Sequence, residues 1–220
     1  MRVDNFISKS EPIIKSTEKK TIHIVHILDR SGSMDGYGSS SKIKSALQGI
    51  NTEVTELQKD ANVNYLFSLV DFGDNTINKT YWQRPVSEVG HINIRANGGT
   101  PLYQAIGETL EGFPQTHPVL VKVFTDGGEN ASRGKYNTAF AVKTLLASLK
   151  DKDFTVTFVG TESDVATIQR ALDIAEGNTL VHDNTAEGVT RSFNKSMGAT
   201  MTYASNVAQG NFTKTLNFYQ

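Results

Sequence analysis

The chain contains no cysteine. That excludes thiolate nucleophiles, zinc–thiolate sites and a disulfide framework. Charge of one sign is also missing: 22 Lys and Arg stand against 23 Asp and Glu, a formal net charge of −1. Neither a nucleic-acid-binding face nor a basic membrane-attracting surface is implied. No apolar run is long enough to span a bilayer. The opening residues, Met1 to Phe6, lack the apolar core of a signal peptide. There is no internal repeat and no low-complexity tract. These absences leave a cytoplasmic globular protein of 220 residues, long enough to bury a full core in one domain without staples.

What the chain does have is concentrated near its start. Thr21 to Leu28 is an apolar run rich in β-branched residues, the pattern of a strand covered on both faces. It stops at Asp29 and passes at once into Arg30-Ser31-Gly32-Ser33-Met34. A carboxylate and two hydroxyls at alternating positions past a buried strand form a cluster of hard oxygen donors, suited to a hard divalent cation.

Ile43, Leu47, Ile50, Val54 and Leu57 recur at helical spacing. Residues 62–71 predict a second strand, 72–75 a turn, and 76–82 a third strand antiparallel to the second. Residues 84–98 carry little pattern and read as a connection. Thr100-Pro101 predicts a helix start, with Thr100 as cap, Pro101 at the first helical position, and Leu102, Ile106 and Leu110 as the apolar face. Val119 to Phe124 is a fourth strand ended by Thr125-Asp126-Gly127-Gly128. Lys122 is awkward inside it, implying a snorkelling side chain or a partly open face.

A helix around Ala139 to Leu149, a strand at 154–159, a helix from Val165 to Ala175 and a short strand at 178–182 follow. Asn184-Thr185-Ala186-Glu187 resembles a capping box opening a long helix to about Ala204. The expected organisation is a leader (1–20), a domain (21–204) and a C-terminal tail (205–220) that packs back or binds something. Alternating strands and amphipathic helices predict an α/β fold. Its sheet is open, mostly parallel and six-stranded, with one antiparallel strand and helices on both faces.

Ligands of such a sheet sit outside the carboxyl ends of its strands, at the switch in strand order. Asp29 and Asp126 both end predicted parallel strands, and Thr100 opens a helix after a glycine pair. The candidate set is Asp29, Ser31, Ser33, Thr100 and Asp126. Oxygen donors alone favour Mg²⁺, Mn²⁺ or Ca²⁺ over Zn²⁺. Few formal charges leave the ion electrophilic, so a vacant position attracts a carboxylate. Taken alone, the Asp29 turn also fits plain capping of the next helix.

Asp29-Arg30-Ser31-Gly32-Ser33 resembles the DxSxS element of the von Willebrand factor A (VWA) domain. Gly98-Gly99-Thr100-Pro101-Leu102-Tyr103 and Phe124-Thr125-Asp126-Gly127-Gly128-Glu129-Asn130 resemble its second and third metal-site loops. The resemblance covers roughly residues 20–200, in the manner of soluble prokaryotic or phage members. It implies Rossmann-like topology and a metal-ion-dependent adhesion site (MIDAS). The implied function is a protein-interaction module whose ion is completed by an Asp or Glu of another protein. A monomer is favoured, without nucleic-acid or membrane partners.

The alternatives are a metal-dependent phosphoryl-transfer or hydrolase enzyme, or a purely structural metal. The related acid-phosphatase-like loop carries a second aspartate where this chain has Ser31, which removes a general acid. Gly36-Tyr37-Gly38-Ser39-Ser40-Ser41 only approximates a dinucleotide fingerprint. His23 and His26 read as structural. Asp71 and Asp74 read as turn residues near the rim, and Tyr37, Tyr103 and Tyr136 as rim aromatics for partner contact.

Overall fold

A computed structural model describes residues 18–36 and 40–220. Most of the expected leader, together with Tyr37, Gly38 and Ser39, lies outside the described residues. Six strands form one sheet: β1 (Thr21–Asp29), β2 (Asn64–Gly73), β3 (Thr76–Pro85), β4 (Val119–Phe124), β5 (Phe154–Gly160) and β6 (Thr179–Val181). Their order is β3-β2-β1-β4-β5-β6, parallel throughout except for the antiparallel β2–β3 pair. β1 is therefore the point at which strand order reverses.

The two-residue period of β1 explains why it lies in the middle. Ile22, Ile24 and Leu28 enter one apolar core, while Val25 and Ile27 enter the other. The first face is covered by α1 (Lys42–Lys59) and α5 (Ala186–Ala208), with Ile50, Leu57, Phe193 and Tyr203 among the residues they bury. A Cβ on Gly49 would lie 2.5 Å from Phe193, so these helices pack at glycine-limited distance. The second face is covered by α2 (Leu102–Leu110), α3 (Ala139–Ser148) and α4 (Glu162–Leu172). Asp74 and Asn75 join β2 to β3, both at positive φ, as a two-residue hairpin whose twist matches the strands requires.

Several local expectations need correction. Lys122 neither snorkels nor meets an open face; it is buried on the α1/α5 side of the sheet. Its ammonium donates to Glu53 of α1 at 2.5 Å and to the Thr200 hydroxyl of α5 at 3.1 Å. The other Glu53 oxygen lies 2.8 Å from His26 Nε2. Burial alone would raise the Glu53 carboxyl, but Lys122 and His26 together outweigh it and hold it well below the usual range. Asp71 is a buried strand residue rather than a turn residue. β3 runs on to Pro85, through part of the stretch read as a connection. α2 begins at Leu102 with Pro101 flanking it, so Thr100 is not its cap. α4 stops at Leu172 because Asp173 turns left-handed, at φ 61°. At α5 the capping hydroxyl is that of Thr185, which accepts from the Gly188 N–H at 3.0 Å.

α5 extends to Ala208, and the residues after it pack back across the first face. Asn178 clamps them, donating to the Thr215 carbonyl at 3.0 Å and accepting from the Phe218 N–H at 3.0 Å. Phe218 and Tyr219 are part of the core itself. Among the described residues, no helix is long and apolar enough to cross a membrane.

Candidate metal centre

Asp29 is fully buried at the end of β1. Its Oδ1 accepts from the Ser31 N–H at 2.6 Å, and its Oδ2 accepts from the Thr125 hydroxyl at 2.5 Å. Burial pushes this carboxyl up to about 6, against the opposing hydrogen bonds from Thr125 and Ser31. A short helical turn, Gly32–Met34, follows, pinned by the buried Met34 side chain. The turn brings Ser31 Oγ to 3.1 Å from Ser33 Oγ, and the Ser33 hydroxyl donates to Asp126 Oδ1 at 2.6 Å. Arg30 points elsewhere, its Nε donating to Asp71 at 2.6 Å. Asp71 also accepts from Thr80 at 2.5 Å and Asn78 at 3.0 Å, so it anchors the loop to the β2–β3 hairpin.

The second loop joins the first through the Gly32 N–H, which donates to the Gly98 carbonyl at 2.8 Å. Gly98 has φ +71°, and a Cβ there would stand 2.3 Å from the Asp74 backbone, so no larger residue fits. The third loop is tied to the second by Asn130. Its Oδ1 accepts from the Thr100 N–H at 2.8 Å, and its own N–H donates to the Thr100 carbonyl at 3.2 Å. Glu129 accepts from the N–H groups of Tyr103, Ala131 and Ser132 at 2.7–2.9 Å, placing a carboxylate at the positive end of α2.

The loops converge on Gly127. A Cβ at that position would lie 3.4 Å from Ser33 Oγ and 4.0 Å from Thr100 Oγ1. Asp29, Ser31, Ser33 and Asp126 thus form one hydrogen-bonded group, with the Thr100 hydroxyl facing the same glycine-lined space. The donor set is two carboxylates and three hydroxyls. Among the described residues no three His, Cys, Asp or Glu side chains gather into a metal-binding group, so any ion here depends on the hydroxyls. Hard oxygens of low formal charge fit a divalent cation of the Mg²⁺ type.

Residues that the sequence reading passed over complete the picture. Thr125 belongs to the third loop's motif, and its hydroxyl holds Asp29. Glu129 and Asn130, quoted in the same motif, are the struts between loops. Lys42, at the start of α1, ion-pairs with Asp126 Oδ2; nothing in its local pattern signals this. His182 comes to the back of the third loop, with Nε2 3.4 Å from the Thr125 carbonyl and Nδ1 2.8 Å from the Asp183 carbonyl. Tyr136 is not a rim aromatic: it is buried against Gly107, where a Cβ would lie 2.0 Å from its ring. Tyr103 is partly buried. Tyr37 falls outside the described residues.

A six-stranded sheet in this order, with hydroxyl and carboxylate loops at the reversal of strand order, is the fold of the VWA domain. The VWA2 paralog of ArnB from Sulfolobus acidocaldarius superposes with a TM-score of 0.57 at 19% identity, over 81% of this chain and 45% of that one. A von Willebrand factor type A structure from Catenulispora acidiphila gives 0.54 at 18% identity, over 83% and 43%. Proximal thread matrix protein 1 from the mussel byssus, solved with its MIDAS motif occupied by zinc, gives 0.53 at 16% identity, over 80% and 47%. The chain thus spans less than half the length of each of these three. No protein-family model and no curated protein matches it.

Proposed function

We propose that the chain is a divalent-metal-dependent interaction module, its site completed by an Asp or Glu side chain of a partner protein. The observation that carries this reading is the convergence of Asp29, Ser31, Ser33, Thr100 and Asp126 from three loops onto the space beside Gly127. Ser31, Ser33 and Thr100 would supply neutral oxygens. Asp29, held from both sides by Ser31 and Thr125, and Asp126 would supply charge and orient the hydroxyls. A bound ion contributes a positive docking point; Mg²⁺ is the proposed ion and the cytoplasm the proposed setting. The occupied MIDAS motif of the mussel protein supports a divalent ion at such loops.

The reading is non-catalytic. Ser31 stands where a phosphatase-like loop would carry a second aspartate. Both nitrogens of His182 face backbone carbonyls rather than the hydroxyl group.

Isothermal titration with Mg²⁺ and Mn²⁺ tests the ion, and affinity capture from host lysate in Mg²⁺ or EDTA tests the partner. Wild type is expected to bind the ion and to retain a partner only when it is present. Asp126→Ala should lose both. Loading at a hundredfold excess over Kd should add about 2.7 kcal/mol of stability, a rise in Tm of roughly 5–11 °C for a domain of this size. Absence of ion binding by wild type would overturn the reading. Phosphoester turnover abolished by Asp29→Ala would replace it with the hydrolase.

A further inference from the structure

Lys42 is the first residue of an eighteen-residue helix whose first turn contains no acidic side chain. A cation there faces the positive end of the helix dipole, the unfavourable end. The side chain is nevertheless largely buried, 12% exposed, against an Asp126 side chain that is 0% exposed. Its ammonium ion-pairs with Asp126 Oδ2 and donates to Asn184 Oδ1, in the loop before α5, at 2.6 Å. The other Asp126 oxygen is already taken by the Ser33 hydroxyl. Apart from Lys42, the buried Oδ2 has no hydrogen-bond partner among the described residues. By contrast, the ammonium side chains of Lys59, Lys135 and Lys150 are 64–66% exposed in their ion pairs.

We infer that Lys42 is a built-in competitor for the divalent ion. Its charge neutralises Asp126 in the ion-free protein, and ion binding requires it to release that carboxylate. An ammonium and a divalent ion beside the same carboxylate repel each other strongly where water is excluded. Lys42 therefore lowers the affinity of the site and makes its loading conditional on ion concentration. Asn184 offers the displaced ammonium an acceptor outside the carboxylate. This inference rests on the metal reading above.

The test is titration of Mn²⁺ and Mg²⁺ into wild type, Lys42→Gln, Lys42→Met and Lys42→Arg, with melting temperatures recorded with and without the ion. The neutral variants are expected to bind roughly tenfold more tightly, a change of about 1.4 kcal/mol. They should melt below wild type without the ion and gain more on its addition. Lys42→Arg, which keeps the charge, should stay near wild type. Equal or weaker binding by Gln and Met, with wild type still binding, overturns the competitor while leaving the metal site standing. An equal gain in the Arg variant also overturns it, since side-chain shape rather than charge would then be the cause. If neither wild type nor the variants bind the ion, both readings fall.

Discussion

At the scale of single residues, the charged group under α1 carries high energetic stakes. Lys122 and His26 are each buried within ion-pair distance of the buried Glu53. Removing one partner strands another charge in a dry interior. Lys122→Met is expected to cost about 3–5 kcal/mol in urea unfolding, and adding Glu53→Leu to it should recover much of that loss. Lys122 was conspicuous in the sequence, but its partner was not. Glu53 sits three residues after Ile50 and four before Leu57, on the apolar stripe of α1. A reading of the stripe from its apolar members alone skips it. The residues of the candidate site stood out for the opposite reason: Asp29, Ser31, Ser33 and Asp126 are polar residues placed where apolar strands end. Lys42 was not, because a helix-terminal lysine is ordinary on a surface, and only tertiary packing brings it to Asp126.

At the scale of elements, strands and helices follow from period, while their ends follow from contacts that period does not encode. Asp173 ends α4 by adopting a left-handed conformation, although Ile174 and Ala175 continue an apolar sequence. The final stretch is the clearest case. Its aromatics were visible, but their destination depends on Asn178 and Thr155, far away in the chain. Phe218→Ala is expected to cost about 3–5 kcal/mol, since it opens a cavity in the core. Leu216→Ser, at a side chain 60% exposed, should change stability by no more than about 0.5 kcal/mol. Thermal or chemical denaturation of the two variants separates a segment that is part of the core from one merely laid over it.

At the scale of the molecule, the buried histidines couple stability to pH. Burial, with the charge of His117 adding, holds His23 down at about 4, and burial also lowers His26 against the pull of Glu53. In the unfolded chain a histidine titrates near 6.5, so between pH 6.5 and 4 the unfolded state binds a proton that folded His23 refuses, and the lowered His26 adds a loss of the same sign below 6.5. Stability therefore falls as pH falls through that window, by up to about 1.4 kcal/mol per pH unit for His23, while the Asp29 carboxyl, raised to about 6, contributes with the opposite sign below that pH. Glu53, depressed in the folded state, adds a loss of the same sign below about 4.5. Melting curves from pH 7 to 4.5 should show this decline, and His23→Gln should make it shallower.

The reversal of strand order at β1 also governs how the chain is made. Everything on one side of β1 in the sheet precedes residue 86, and everything on the other side follows residue 118. On the ribosome, β1, β2 and β3 are complete while one edge of β1, apolar on both faces, has nothing to pair with. At typical synthesis rates the stretch through β4 takes roughly two to eight seconds, an interval in which that edge is a template for the wrong strand. Asp126 is translated immediately after the strand that closes this gap. The two carboxylates of the candidate metal centre thus meet only when both halves of the sheet are joined, and a half-made chain presents Asp29 without Asp126.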